Sequence, residues 1–308
     1  MKTGYIQLLI LCFSLLLSFT ATSQIEPQFT NYMYTVQQFN PAFAGAVTNG
    51  SITGVIRSQW VGIEGAPESQ FLSYLGPVSN GKMGVGLNLI HDKVGPSSYK
   101  SFSALYAYNL RINSTTTISL GINAGGSLLD IDLTEGDFEN PGDIAQNNLN
   151  NEFYAKVGAG AMVYNRKWFA GFSVPNFFKQ DFYDSEIRNV VANKLQFNVL
   201  AGYQFELNRN LTFRPSVLAN IIEGNPITLN ANANFLLFGR LHLGLGYRYN
   251  EALSGLAGFQ ILENLLVGYS YDYGTNDFSN YHDGSHEIVL KFKFKKQPYN
   301  AGNALNSF

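Results

Sequence analysis

Two histidines four residues apart, His282 and His286, could grip a metal if one element brought both rings to the same side. Two carboxylates, Asp272 and Glu287, and two guanidiniums, Arg57 and Arg248, could form either a charge network or a path for a polar substrate. Three glycine pairs, Gly84/Gly86, Gly158/Gly160 and Gly244/Gly246, have the spacing from which phosphate loops are made. Each chemistry needs a particular support. A dinucleotide loop must open a helix after a strand, and none of the glycine pairs does, so they read as small residues on one face of a sheet. The histidines straddle a loop and a strand, and the single cysteine, Cys12, lies in a leader, so no metal is expected. No nucleophile, base and orienting group recur at usable spacing. The chain therefore reads as having no catalytic residue, no cofactor and no enzymatic activity.

The elements that carry these residues repeat every two positions. Ile118, Leu120, Ile122 and Ala124 alternate with Ser119, Gly121, Asn123 and Gly125. Leu195, Phe197, Val199, Ala201 and Tyr203 alternate with Gln196, Asn198, Gly202 and Gln204. Leu241, Leu243, Leu245 and Tyr247 alternate with His242, Gly244, Gly246 and Arg248. Many runs reach the 9–11 residues that a membrane strand needs, which is long for a soluble sandwich. Backbone groups in lipid have to be paired, so such a sheet must close. The expected fold is all-β, a closed antiparallel transmembrane barrel of about fourteen strands.

Those strands are expected to start near Ser51, Gln70, Met83, Tyr99, Thr117, Phe153, Lys167, Leu195, Leu211, Ile227, Leu241, Leu253, Leu265 and Ser285. Short turns such as Ser79-Asn80-Gly81 and Asn165-Arg166 alternate with longer connections: Val61 to Ser69, His91 to Ser98, Ile131 to Glu152, Pro175 to Asn193 and Gly274 to Gly284. Short turns face the periplasm in such barrels and long loops face outward, so both chain ends are expected in the periplasm. Arg57, Arg248, Asp272 and Glu287 fall on the polar face, while His286 shares the parity of Ile288 near the interface. Aromatics near strand ends, among them Trp60, Tyr106, Trp168 and Tyr271, suit interfacial girdles. Pro215 cannot donate to a ladder and marks a kink or bulge.

The flanks complete the reading. Lys2, the apolar run Ile6 to Phe19, and the small residues Ala21 and Ser23 form a signal peptide, with cleavage expected before Gln24. Charged residues make up 14%, and 20 Lys+Arg nearly balance 22 Asp+Glu, which argues against nucleic acid as a partner. The domains are then a signal peptide 1–23, an N-terminal plug or periplasmic arm 24–50, a barrel 51–296 in outer-membrane lipid, and a polar tail 297–308.

Four segments resemble the PorP/SprF family of Bacteroidetes outer-membrane proteins. They are Phe39-Asn40-Pro41-Ala42-Phe43-Ala44-Gly45 after Gln28-Phe29; Arg57-Ser58-Gln59-Trp60-Val61-Gly62 followed by Gly65-Ala66-Pro67; Gly244-Leu245-Gly246-Tyr247-Arg248; and Gly268-Tyr269-Ser270-Tyr271-Asp272 followed by Ser285-His286-Glu287-Ile288. Residues 35–38 depart from the family's pattern. The resemblance implies an accessory of type IX secretion and gliding motility that delivers, retains or anchors surface adhesins. Its implied partners are other secretion components, peptidoglycan-linked periplasmic proteins and cargo C-terminal domains. It also implies a barrel akin to long-chain fatty-acid transporters, so a porin or a transporter of small apolar molecules stands as the alternative.

Overall fold

The computed structural model describes residues 27–132, 149–178, 180–181 and 192–294. The expected leader 1–23 with Cys12, much of the connections 131–152 and 175–193, and the tail from 297 lie outside the described residues.

The strands are β1 (Ser51–Ser58), β2 (Glu68–Val78), β3 (Met83–Val94), β4 (Ser97–Arg111), β5 (Thr117–Ile131), β6 (Leu149–Tyr164), β7 (Trp168–Val174), β8 (Gln180–Asp181), β9 (Ala192–Asn193), β10 (Gln196–Tyr203), β11 (Phe205–Asn208), β12 (Leu211–Ile222), β13 (Thr228–Leu237), β14 (Leu241–Arg248), β15 (Ala252–Leu262), β16 (Leu265–Gly274) and β17 (Ser285–Lys293). All but β8 and β9 belong to one 15-stranded sheet. Its strands pair antiparallel with their neighbours along the chain, except that β10 and β11 do not pair with each other but both with β12; β1 also pairs with β17. Because β11 continues the line of β10 along β12, the wall has one position fewer than the sheet has strands, and it is a closed barrel of fourteen. The two-residue strands β8 and β9 pair with each other, outside this wall.

The two-residue period produces an inside-out polarity. Along β1, Ser51, Thr53, Val55 and Arg57 are buried while Ile52 and Ile56 are exposed. Arg57, Asp272 and Glu287 are 2%, 3% and 1% exposed, whereas Ile56 and Leu245 are 61% and 64% exposed. Only a solvent of hydrocarbon makes that arrangement favourable, and ring closure supplies the backbone pairing that hydrocarbon demands. No helix among the described residues is long and apolar enough to cross a membrane. β4 has 15 residues, a rise of about 50 Å, so it extends beyond the hydrocarbon layer. Near the end of β4 that follows β3, Lys100 pairs with Asp130 of β5 at 3.5 Å on the outward face.

Two expectations need correction. The connection from β3 to β4 is not long: the strands run to Val94 and from Ser97, leaving Gly95 and Pro96. Apolar alternation stops at His91, but the ladder continues through Asp92↔Tyr99 and Lys93↔Ser98, because backbone pairing does not require apolar side chains. Pro215 does not break its own strand. β12 is continuous there and pairs Pro215 with Ala233, while on its other side the ladder skips from Gly202↔Ser216 to Phe205↔Phe213. The missing donor divides the neighbouring strand into β10 and β11.

Ahead of β1 the chain forms a 3-10 turn at Tyr32–Tyr34, a short helix α1 (Val36–Phe39) and a second 3-10 turn at Pro41–Ala46. Phe29, Tyr32, Val36, Phe39 and Phe43 are buried against inward-facing apolar groups. One cluster joins the second turn to Leu75, Leu105, Leu200 and Leu218; a smaller one joins Phe29 to Val55, Phe71, Ile90 and Val289. The hydrophobic core is thus this segment and the strand residues that meet it inside the ring.

Candidate functional site

β1 and β17 place Arg57 opposite Glu287, and β16 brings Asp272 one strand further along the same inner face. Arg57 Nη2 lies 2.7 Å from Asp272 Oδ2, and Arg57 Nη1 lies 3.2 Å from Glu287 Oε2. The inner segment completes the cluster. Thr30 Oγ1 donates to Asp272 at 2.7 Å and accepts from Arg57 Nη1 at 2.8 Å. The Thr30 and Asn31 backbone N–H groups donate to the two Glu287 carboxylate oxygens at 2.8 and 2.9 Å. Asn31 Nδ2 donates to Ser270 Oγ at 2.9 Å, and Asn232 Nδ2 donates to Thr30 O at 3.2 Å. A buried carboxylate that accepts two successive N–H groups and faces a guanidinium has its charge met on every side. This constellation holds a peptide; it offers no attacking group to a substrate.

The opposite end of the segment is held differently. Asn40 caps the second 3-10 turn, its Oδ1 accepting from Ala42 N at 2.9 Å, with Pro41 in the first turn position. Asn40 Nδ2 donates across to Ala161 O of β6 at 3.2 Å. Ser173 and Asn198 donate to Phe39 O at 2.6 and 3.0 Å, Ser119 to Ala42 O at 2.8 Å, and Asn109 to Gly45 O at 2.6 Å. Close approach needs glycine on the wall. A Cβ at Gly84 would strike the Ala44 carbonyl, one at Gly121 the Ala42 backbone, and one at Gly160 the Asn40 side chain. Gly45 is constrained from the other direction, since a Cβ there would sit 2.5 Å from Ser119 Oγ.

Between these anchors Tyr32 and Tyr34 bridge to the far wall. The Tyr32 hydroxyl lies 3.0 Å from Ser216 Oγ, and the Tyr34 hydroxyl 3.2 Å from His242 Nδ1. Burial pushes the Tyr34 hydroxyl up to about 12, against the opposing pull of Arg214, and raises Tyr32 as well, so both hydroxyls stay protonated.

The structure thus brings together Arg57, Asp272 and Glu287 from the residues singled out in the sequence. Arg248 lies on the same inner face but bonds Asn230 at 2.8 Å and Glu251 at 2.9 Å instead. His286 points outward, with Nδ1 2.6 Å from the Tyr269 hydroxyl, while His282 Nδ1 accepts from Gly284 N at 2.9 Å. Among the described residues, no three His, Cys, Asp or Glu side chains form a metal-holding group. Gln59, Trp60, Gly65 and Pro67 belong to the β1–β2 connection. There Gln59 N donates to Pro67 O, Gly65 O accepts from Gly95 N, and Trp60 packs edge-on to Phe278 at 5.0 Å. Asn40, Pro41 and Gly45 form the second anchor. Sequence reasoning missed Thr30, Asn31 and Gly121. Parity with Ser119 and Asn123 gives the face of Gly121 but not the backbone that meets it, and Thr30 and Asn31 precede the strands, where the two-residue period says nothing.

A model of the family described as type IX secretion system membrane protein PorP/SprF matches residues 21–292. No curated protein sequence matches the chain. Among solved structures, the outer membrane protein Omp33 of Acinetobacter baumannii aligns with 6% identity over 81% of this chain and 100% of that one, with a TM-score of 0.51. The TodX deltaS2S3 mutant monoaromatic hydrocarbon channel aligns with 10% identity over 84% and 93% of the two chains, with a TM-score of 0.49. A Pseudomonas aeruginosa FadL homologue aligns with 11% identity over 89% and 95%, with a TM-score of 0.47. At these identities the likeness to Omp33 is one of fold.

Proposed function

The chain belongs to the PorP/SprF family of type IX secretion system membrane proteins, and from that premise we propose that it is an accessory of export that works by protein contact, helping to deliver or anchor surface adhesins. The fold and family support an outer-membrane location. The observation that carries the contact reading is that residues 29–46 hydrogen-bond to β5, β6, β7, β10, β16 and β17, so in this reading they serve as a plug. The rim with short turns, where Ser51 of β1 pairs with Lys293 of β17, faces the periplasm in this reading. Its partners there are secretion components and peptidoglycan-linked proteins, and cargo C-terminal domains are met at one of the two rims. None of these steps needs bond chemistry from the chain.

The test combines deletion with reconstitution. Deleting the gene is expected to remove a surface adhesin, and the tagged protein is expected to co-purify with secretion components. In planar bilayers the purified protein is expected to show no steady conductance. Steady conductance, or saturable uptake of a small apolar molecule with adhesin display intact, would replace this reading with the transporter.

A further inference from the structure

At the rim with short turns, the inner face of β12, β14 and β17 carries Arg214, His242, Lys291 and Lys293. All four alternate with outward residues; Phe292 and Phe294, for example, flank Lys293 and face lipid, 37% and 41% exposed. The cations gather around Tyr34. The Lys291 ammonium stands 5.7 Å above its ring, and His242 Nδ1 meets its hydroxyl at 3.2 Å. Lys291 and Lys293 are two positions apart on the inner face of β17, and Arg214 and His242 lie on the inner faces of β12 and β14 at the same rim. Among the described residues none of the four forms an ion pair with a carboxylate. Glu206 and Glu263 lie on the same rim without pairing with them. Arg214 uses Nε on Gln204 Oε1 at 3.1 Å, and its two terminal nitrogens have no hydrogen-bond partner among the described residues.

The contrast with Arg57 is informative. There the guanidinium is answered by two carboxylates, whereas here Lys291, only 9% exposed, lies beside other cations. Like charges gathered in a half-buried mouth repel one another and are poorly hydrated. An arriving anion relieves both costs at once. Tyr34 cannot supply that charge, because its hydroxyl stays protonated. All four side chains lie on the inner face, on the side of the wall away from Phe292 and Phe294. The four cations come from three separate strands, β12, β14 and β17, so the mouth presents several positive groups together, which suits several carboxylates along one chain.

We infer that this cluster is a docking site for an acidic polypeptide segment of a secretion partner, entering the barrel mouth from the rim with short turns. The inference rests on the contact reading above and names the chemistry of one contact.

The full-length protein in detergent micelles, titrated with a fluorescein-labelled octaglutamate peptide and followed by anisotropy, tests it. Binding that weakens with added salt is expected, and the triple variant Arg214→Gln, Lys291→Gln, Lys293→Gln is expected to weaken it roughly tenfold or more. Lys100→Gln on the outer wall is expected to leave it unchanged. Heat-dependent migration on a gel reports whether each variant remains a closed barrel. Should the triple variant not close, Lys293→Gln alone, at the rim, carries the comparison. No binding by the wild-type protein overturns the inference, as does binding that the substitutions leave intact. So does equally effective competition by inorganic phosphate, which would mark a small-anion site. Peptide binding lost in the triple variant, together with normal adhesin display after gene deletion, would keep the acidic site and remove the secretion partner. Lost display with no peptide binding would remove the site and keep the family role.

Discussion

The two anchors of the inner segment solve one problem by different physics. Thr30 and Asn31 are held by charge: a guanidinium and two carboxylates, each at most 3% exposed, close around two backbone N–H groups and a hydroxyl. Asn40 to Gly45 are held by shape: neutral hydrogen bonds reach backbone carbonyls, and wall glycines let the turn come close. A charge anchor is unforgiving of a single deletion, because the partners left behind are buried and ionised. A shape anchor fails by addition, because its neighbours are backbone atoms that cannot step aside.

The largest effect is expected from Arg57→Met. It strands Asp272 and Glu287, and the loss is about 3–5 kcal/mol, read as a lower urea midpoint in micelles and rapid proteolysis within residues 27–46. The triple change Arg57→Met, Asp272→Asn, Glu287→Gln should recover part of that loss; if it is worse than Arg57→Met alone, the anchor at Thr30 and Asn31 is not held by charge balance. Next comes Gly121→Val, which drives side-chain atoms into the Ala42 backbone and should cost about 1–3 kcal/mol while leaving the charged cluster in place. Its proteolytic cuts should appear near residues 40–46 and spare 29–31. Asn40→Ala removes the cap and should cost about 1 kcal/mol by the same unfolding measurement. The smallest effect belongs to Lys100→Ala on the outer wall, within about 0.5 kcal/mol, because its partner Asp130 is in contact with solvent.

The same division explains what could be read from the residues alone. The barrel was legible because lipid imposes a two-residue period on nearly every strand; the expected starts at Ser51, Met83, Thr117, Leu211, Leu241, Leu265 and Ser285 coincide with strand starts. Starts went astray where polar residues continue the ladder, as at Ser97 before the expected Tyr99 and at Glu68 before Gln70. The charged anchor was legible in part, since Arg57, Asp272 and Glu287 are out of place on membrane strands. The shape anchor was not, because nothing in Gly121 itself indicates which backbone will approach it. That knowledge lives in the register Gly121↔Gly160 and in a turn some eighty positions earlier. The rim cluster escaped for the opposite reason: Lys291-Phe292-Lys293 looks like an ordinary strand end until Arg214 and His242 are seen beside it.

The pairing Arg57↔Glu287 joins the first strand to the last, across most of the chain's length. Glu287 is therefore made long after Thr30 and Asn31, and it is presented to them only once the cylinder has been sealed. The leading segment is retained by a latch that the trailing strand installs, so ring closure and segment capture form one late event in biogenesis. Amide exchange at Thr30 and Asn31 would consequently time the moment at which the newly inserted wall becomes complete.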